Sequence, residues 1–291
     1  TLSSFEGCFS VHSQIKRFNR LAENALLSAE ALTAMARIDR RRTLREAWKP
    51  ILFNQFHDIF DGCAVHDTYL DAHKRAEDSL RVVARTTRDA VSALVRSAGK
   101  NRLVVVNPTG FERTVPVRTR LPRNAACLED KDGNLITVQR LGNEYVFIAN
   151  RLPAFGSSTY RILTKPQAGF DGSKILVAEE GPFYRVESPV ATSRIHRNSG
   201  AITSYFDKRL AKEFVTIGVS DPYTNPAPVR MELALNVFQI GDESLRASAW
   251  VIGDMMSQQN LIKDAKVELM EAGPVFARFK VTHKFRSSGI E

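Results

Sequence analysis

Cysteine is scarce in this 291-residue sequence: Cys8, Cys63 and Cys127 are odd in number, far apart, and form no C-x-x-C pair. That excludes a disulfide framework, points to a reducing compartment, and makes each thiol most simply a small buried hydrophobe. Long apolar runs are missing too. No stretch reaches the ~18 to 20 residues that cross a bilayer, and the amino end, TLSSFEGCFS, has neither an initiating Met nor the basic and apolar regions of a signal peptide. A start cut from a longer chain, a cytoplasmic setting and no membrane partner are the expectations. The net charge of +9 and pI near 9.6 come from scattered residues, the one dense run being RIDRRRTLREAW. No stacking aromatics are interleaved with it, so it reads as a solvated inter-helix turn and nucleic acid is not the expected partner. Internal repeats and low-complexity tracts are also absent. What is present is 43% hydrophobic and 25% charged, a globular composition sufficient for two or three domains.

The organisation follows from periodicity. Between about Ser10 and Arg37 the residues Ile15, Phe18, Ala22, Ala25, Ala29, Leu32 and Ala36 recur every three or four positions with charged residues between them, which predicts a long amphipathic helix. A second helix is expected from Asp39 or Thr43 to a glycine stop at Gly62, and a third reaching about Ser97 with Val65, Tyr69, Ala72, Ala76, Leu80, Val83, Thr87, Ala90 and Leu94 at the same spacing. Beyond SAGKNRLVVVNPTG the chain turns rich in Val, Ile, Thr, Tyr and Phe, with turn signals at Asn107-Pro108, Asp132-Gly133 and Gly142-Asn143. The fold class expected is α+β multidomain: an antiparallel three-helix bundle over 1–98, a small β-domain over 101–165, and part of a large antiparallel β-sandwich over 170–291. Ala277, Phe279, Val281 and Phe285 alternate with polar residues as in a half-buried strand, and that strand is expected to break off without room for its partner.

One segment, FNQFHDIFDG at 53–62, carries chemistry. Continued at helical period, Leu52, Phe53, Phe56, Ile59 and Phe60 fall on one side, while Asn54, His57, Asp58 and Asp61 share the other. Asn, His and Asp are poor helix formers, so an ordinary solvent face does not explain them. A neutral imidazole suits a divalent transition metal and a neighbouring carboxylate suits metal or sugar hydroxyls. The same spacing is that of a hydrogen-bonded His and Asp at a helix end, and local pattern does not separate the two. His66, Asp67 and His73 add donors nearby without zinc-finger spacing. Cys63 with His57 or His66 lacks the third orienting group of a nucleophilic dyad.

WKPILFNQFHDIFDG resembles the N-Q-F-H-D-I-x-x-G segment of the glycoside hydrolase family 38 α-mannosidases. GCFSVHSQIKRFNRLAENALLSAEAL is similar to the family's entry into its helical region, and FYRVESPVATSRIHRNSGAITSYFDKRLAKE and EAGPVFARFKV are similar to two later strand blocks, in the family's order. The resemblance implies a retaining, metal-dependent α-mannosidase acting on terminal α-mannosides or mannose-containing oligosaccharides. It also implies His57 as a ligand of a divalent ion, usually zinc, and Asp58 as a contact to mannose hydroxyls. The catalytic nucleophile and the remaining ligands belong to the family's amino-terminal α/β catalytic domain. No matching segment occurs here, so no catalytic residue is assigned in this chain and the chain alone is expected to be inactive. Where the family often has Pro before its Gly, this sequence has Asp61. The alternatives are a stand-alone carbohydrate-binding module, with Tyr184, Tyr205, Tyr223 or Trp250 stacking on sugars, and a structural interaction module. Homo-oligomerisation is left open.

Overall fold

The computed structural model describes residues 6–96, 99–165, 175–215, 234–244 and 253–290. It contains helices followed by several antiparallel sheets, an α+β architecture. By contacts between Cα atoms the chain divides into two compact units, one of 1–115, 149–161 and 243–256 and the other of 116–148, 162–242 and 257–291.

The first unit is dominated by helices α1 (Ser13–Met35), α2 (Arg41–Asn54), the single turn α3 (His57–Phe60) and α4 (His66–Leu94). Small residues explain how the long helices approach one another. Ala22, Leu26 and Ala29 of α1, Leu44, Ala47 and Ile51 of α2, and Ala76 and Val83 of α4 form one buried cluster, with Phe18, Trp48 and Leu80 packed on its edge. A second cluster joins Ile15, Ile59, Tyr69 and Ala72. Some buried polar groups of this region bond to helix backbones, as where the Ser79 hydroxyl donates to Ala47 O at 2.7 Å, whereas Asn54 Oδ1 is buried without a hydrogen-bond partner. The basic run expected as a turn is one only up to Arg40; from Arg41 it forms the first turns of α2, burying Leu44 and Ala47, while Asp39 pairs with Arg41 and Arg40 with Asp89.

The second helix does not run to Gly62. It stops at Asn54, because Phe56 adopts an extended conformation (φ −54°, ψ 133°) and a new turn starts at His57. The expected faces are therefore rearranged. Asn54 is buried, Ile59 is buried, and Leu52, Phe53 and Phe56 are exposed instead of lying in the core. In the same unit strand Arg102–Asn107 pairs antiparallel with Gly156–Leu163 in the register Arg102↔Arg161 to Asn107↔Gly156. Asn107, 1% exposed, ties the loops beyond: its amide donates to Phe111 O and Pro153 O, and its oxygen accepts from Thr109 N.

The second unit contains the hairpins Cys127–Glu129 with Leu135–Thr137 and Gln139–Leu141 with residues 144–146. Their turns hold Gly133 (φ 83°) and Gly142 (φ 60°), the positions the turn signals mark. A five-stranded antiparallel sheet carries Leu176–Glu180, Phe183–Glu187, Ala191–His196, Ile202–Asp207 and Lys212–Glu213 in sequential order. The strand Ala277–Phe285 has partners on both sides, Lys266–Ala272 before it and Ser288–Ile290 after it. The expected breaking-off is thus corrected: Arg286 takes a left-handed conformation (φ 52°) that turns the chain within two residues, so the closing strand fits. Phe279 packs on Tyr184 at 5.1 Å between ring centroids, and Phe285 lies under the Arg286 guanidinium.

One side chain joins distant parts of this unit. Gln139, 7% exposed, accepts from Val275 N and Phe276 N and donates to Phe276 O, at 3.0, 2.9 and 3.1 Å. It mimics a strand across the tight 273–276 connection, and a Cβ at Gly273 would meet its amide at 2.4 Å.

Asp207 ends the fourth strand of the five-stranded sheet as a buried carboxylate. The Arg209 guanidinium bonded to it holds its pKa down to about 2, burial opposing this, with the amides of Leu210 and Arg209 assisting. A depressed carboxyl stabilises the fold above its ordinary pKa of 3.8, and that contribution disappears as pH falls through about 2. Asp207→Asn is accordingly expected to lower the thermal midpoint by a constant amount above about pH 5. The gap to wild type should close between pH 4 and 2 in a melting series; a gap that persists at pH 2 would place the effect in packing rather than charge.

Candidate functional site

The site is built at the break between α2 and α3. The backbone of α2 ends in two short turns, Gln55 N to Leu52 O at 3.2 Å and Phe56 N to Phe53 O at 3.1 Å. After the extended Phe56, its carbonyl accepts from Ile59 N and Phe60 N, which starts α3. His57 and Asp58 open this turn and both face solvent, with side-chain exposures of 75% and 55%. Their separation is 3.4 Å from Nε2 to Oδ1, and the Phe56 ring lies 4.4 Å from the imidazole. Ile59, next along, is 5% exposed and enters the cluster with Ile15, Tyr69 and Ala72.

The loop that follows is tightly fixed. At Gly62 (φ 102°) an added Cβ would lie 2.3 Å from Val11 Cγ1, so both the left-handed backbone and the missing side chain are required. Ala64 N donates to the Tyr69 hydroxyl at 3.0 Å, and His12 stacks on Tyr69 at 3.9 Å.

Cys63 departs from the expectation of a buried thiol: it is exposed, Cys8 is half-buried, and Cys127 alone of the three is buried. Cys63 Sγ lies 3.7 Å from Asp58 Oδ1, and Asp61 Oδ1 accepts from Cys63 N at 3.2 Å. Donor atoms of Asp58, Asp61 and Cys63 fall within 4.8 Å of one another, a group that does not contain His57. The hydrogen bond to Asp61, reinforced by desolvation and by the nearby carboxylate charges, pushes the Cys63 thiol up to about 11. A thiol so held is protonated at neutral pH, consistent with the absence of a nucleophilic dyad. Sequence reading named Asp61 as a departure and dismissed Cys63 as a nucleophile, but did not connect them. The signal was their spacing around the glycine that ends the turn.

The remaining candidates separate. His66 and Asp67 are exposed at the start of α4, and His73 packs on Phe18 at 5.3 Å between ring centroids. Tyr184 is 9% exposed, lying between Phe279 and the Arg197 guanidinium; Tyr205 is partly exposed beside Phe214. Tyr223 and Trp250 lie outside the described residues. A groove of ≈ 750 Å³ runs along α1 and α2, lined among others by Arg37, Arg41, Leu44, Arg45 and Trp48, and includes neither His57 nor Asp58. No helix is long and apolar enough to cross a membrane among the described residues.

Residues 3–94 match the family described as the alpha mannosidase middle domain, a span that contains the whole of the α2–α3 site. Over that span the chain is similar to α-mannosidases of glycoside hydrolase family 38. Alpha-mannosidase 2C1 of mouse and of human are each 28% identical over 149 residues, covering 48% of this chain and 14% of the relative. An alpha-mannosidase from Enterococcus faecalis V583 superposes with a TM-score of 0.64 at 16% identity, over 97% of this chain and 36% of that one. A glycosyl hydrolase family 38 protein of Enterococcus faecalis gives 0.62 at 16% identity, over 95% and 37%. The chain thus spans about 14% of the length of the curated relatives it matches, and the solved structures share its fold.

The raised thiol pKa has a direct consequence. With the Cys63 pKa at about 11 instead of 9.0, its thiolate fraction at pH 8 is roughly 100-fold lower. Iodoacetamide labelling followed by peptide mass spectrometry should therefore modify Cys63 slowly despite its exposure, and Asp61→Asn should accelerate it. Labelling as fast as that of a free cysteine would show that the carboxylates do not control the thiol.

Proposed function

We propose that this chain supplies one wall of the sugar site of a retaining, metal-dependent α-mannosidase, with His57 as a metal ligand and Asp58 as a contact to substrate hydroxyls. The observation that carries the reading is that the two are adjacent and exposed on a single turn fixed on both sides, within the residues that match the α-mannosidase middle domain. The donor chemistry fits a borderline divalent ion such as zinc. An exposed imidazole nitrogen is a suitable ligand, but one imidazole is far short of the three or four protein ligands such a site uses. The others would come from a catalytic α/β domain of the same protein. The metal, when bound, would polarise hydroxyls of a terminal α-mannoside or mannose-containing oligosaccharide.

The chain's own residues have defined tasks in this reading. His57 is presented with its ring edge open, the Phe56 ring limiting its swing. Asp58 accepts hydrogen bonds from sugar hydroxyls, contacts that gain strength as the ring distorts toward an oxocarbenium-like transition state. Nucleophile and acid/base carboxyls, about 5 to 5.5 Å apart in retaining enzymes, are assigned to no residue here. The reading keeps the three-part division 1–98, 101–165 and 170–291, with the helices as a three-helix bundle and the last part as a β-sandwich segment. It places the protein in the cytoplasm.

In a full-length protein carrying this chain, His57→Ala is expected to lower bound metal and to reduce kcat/KM by about two orders of magnitude, equivalent to ~2.7 kcal/mol of transition-state stabilisation. Asp58→Asn should retain metal and impair turnover. Metal analysis beside hydrolysis of an aryl α-mannoside decides the matter: unchanged metal and turnover in His57→Ala would mean that the motif is only a helix end.

A further inference from the structure

The sequence NQFHD places Asn54 and Gln55 just before the site, the first buried and the second half-buried. Asn54 is 5% exposed and its amide donates to Ala72 O of α4 at 2.8 Å. Ala72 O lies within α4, where a helical carbonyl still has a free lone pair for a second donor. Gln55 divides its two amide hydrogens between Asn19 Oδ1 at 2.9 Å and Glu23 Oε1 at 2.8 Å. Asn19 and Glu23 are four residues apart on α1, so they stand one above the other on a single face. One planar amide thereby grips that face at two points.

These bonds bracket the backbone break. Asn54 fixes the last residue of α2 to α4, Gln55 fixes the next to α1, and Ile59 fixes the far side in the cluster of Ile15, Tyr69 and Ala72. Between the anchors lie Phe56, His57 and Asp58, the residues whose side chains are turned outward. Without the anchors, α2 could continue through Phe56 and rotate His57 by about 100° per residue of register around the helix axis. We propose that Gln55, with its acceptors Asn19 and Glu23, is a positioning residue that sets the direction of His57, and that Asn54 secures the same break from the α4 side.

This inference rests on the reading of His57 as a metal ligand, and the experiment separates the two. A full-length protein carrying this chain is loaded with zinc and titrated with a chelator, with melting midpoint, kcat and KM for an aryl α-mannoside recorded on each variant. Gln55→Ala should weaken zinc binding roughly 10- to 100-fold, the range for residues that orient a ligand without touching the metal, and should lower kcat more than it alters KM. Glu23→Gln keeps an acceptor for Gln55 and should hold zinc nearly as wild type. Ser79→Ala removes a buried bond in the same helical region, remote from the break, and should lower the melting midpoint without changing zinc affinity.

If His57→Ala leaves zinc unchanged, the ligand reading itself fails. If His57→Ala loses zinc while Gln55→Ala retains it, the positioning role alone is overturned. Equal weakening in Gln55→Ala and Ser79→Ala would also overturn it, since general loosening would then suffice. Should Gln55→Ala not fold, Asn19→Ala, which removes one of the two acceptors, is read by the same criteria with a smaller weakening expected.

Discussion

The constraint on which the site depends is the extended conformation of Phe56 between two helical segments. A continuous helix from Arg41 to Gly62 would carry Asn54, His57 and Asp58 on one face, all inward or all outward. The break removes that coupling. Asn54 turns into the packed helices, His57 and Asp58 turn out, and Ile59 returns to the core two residues later. The backbone from Asn54 to Ile59, less than about two helical turns, could not satisfy those three demands with one helical phase.

The break is held without regular hydrogen bonding, which explains the composition around it. A helix end leaves carbonyls and amides without partners, and here side-chain amides and tight turns meet the need. Gln55 and Asn54 each bring a planar group that reaches a neighbouring helix, and Gly62 supplies the left-handed turn where any side chain would strike Val11. Close approach of the neighbours is a precondition, and it follows from the alanines of α1 and α4. Ala22, Ala29 and Ala72 are fully buried and leave no bulk to keep the helices apart.

Much of this was legible from periodicity. The inward faces of α1 and α4 follow the predicted stripes at Ile15, Ala22, Ala29 and Leu32 on the first and Tyr69, Ala72, Ala76, Val83 and Ala90 on the second, but Val65, expected in the second stripe, is 73% exposed at the cap of α4, and Thr86 is buried in place of Thr87. The hairpin turns at Gly133 and Gly142 fall where the dipeptides mark them. The α2–α3 region was misread because period alone cannot see a tertiary anchor: Phe53 and Phe56 match a core stripe, yet the register that would bury them is broken one residue before His57. Pro50 gave no warning, since α2 continues through it for another turn. Likewise the strand Ala277–Phe285 was identified correctly, while its closing partner is three residues long and carries no alternation to read.

The exposed apolar residues beside the motif acquire a meaning from the same geometry. Leu52, Phe53 and Phe56 are 55%, 59% and 52% exposed, and Arg75 covers only the Phe53 ring, at 4.8 Å from its centroid. Leu52 lines the groove along α1 and α2, Phe53 lies against Arg75, and Phe56 sets its ring 4.4 Å from the imidazole. An imidazole beside an apolar ring lies in surroundings of lower polarity wherever that face is covered. There a metal–imidazole bond and a carboxylate–hydroxyl contact are worth more than in open water, because competing water is removed and the local dielectric falls. The break at Phe56 therefore does two things at once: it points the pair outward, and it sets the Phe56 ring against the imidazole.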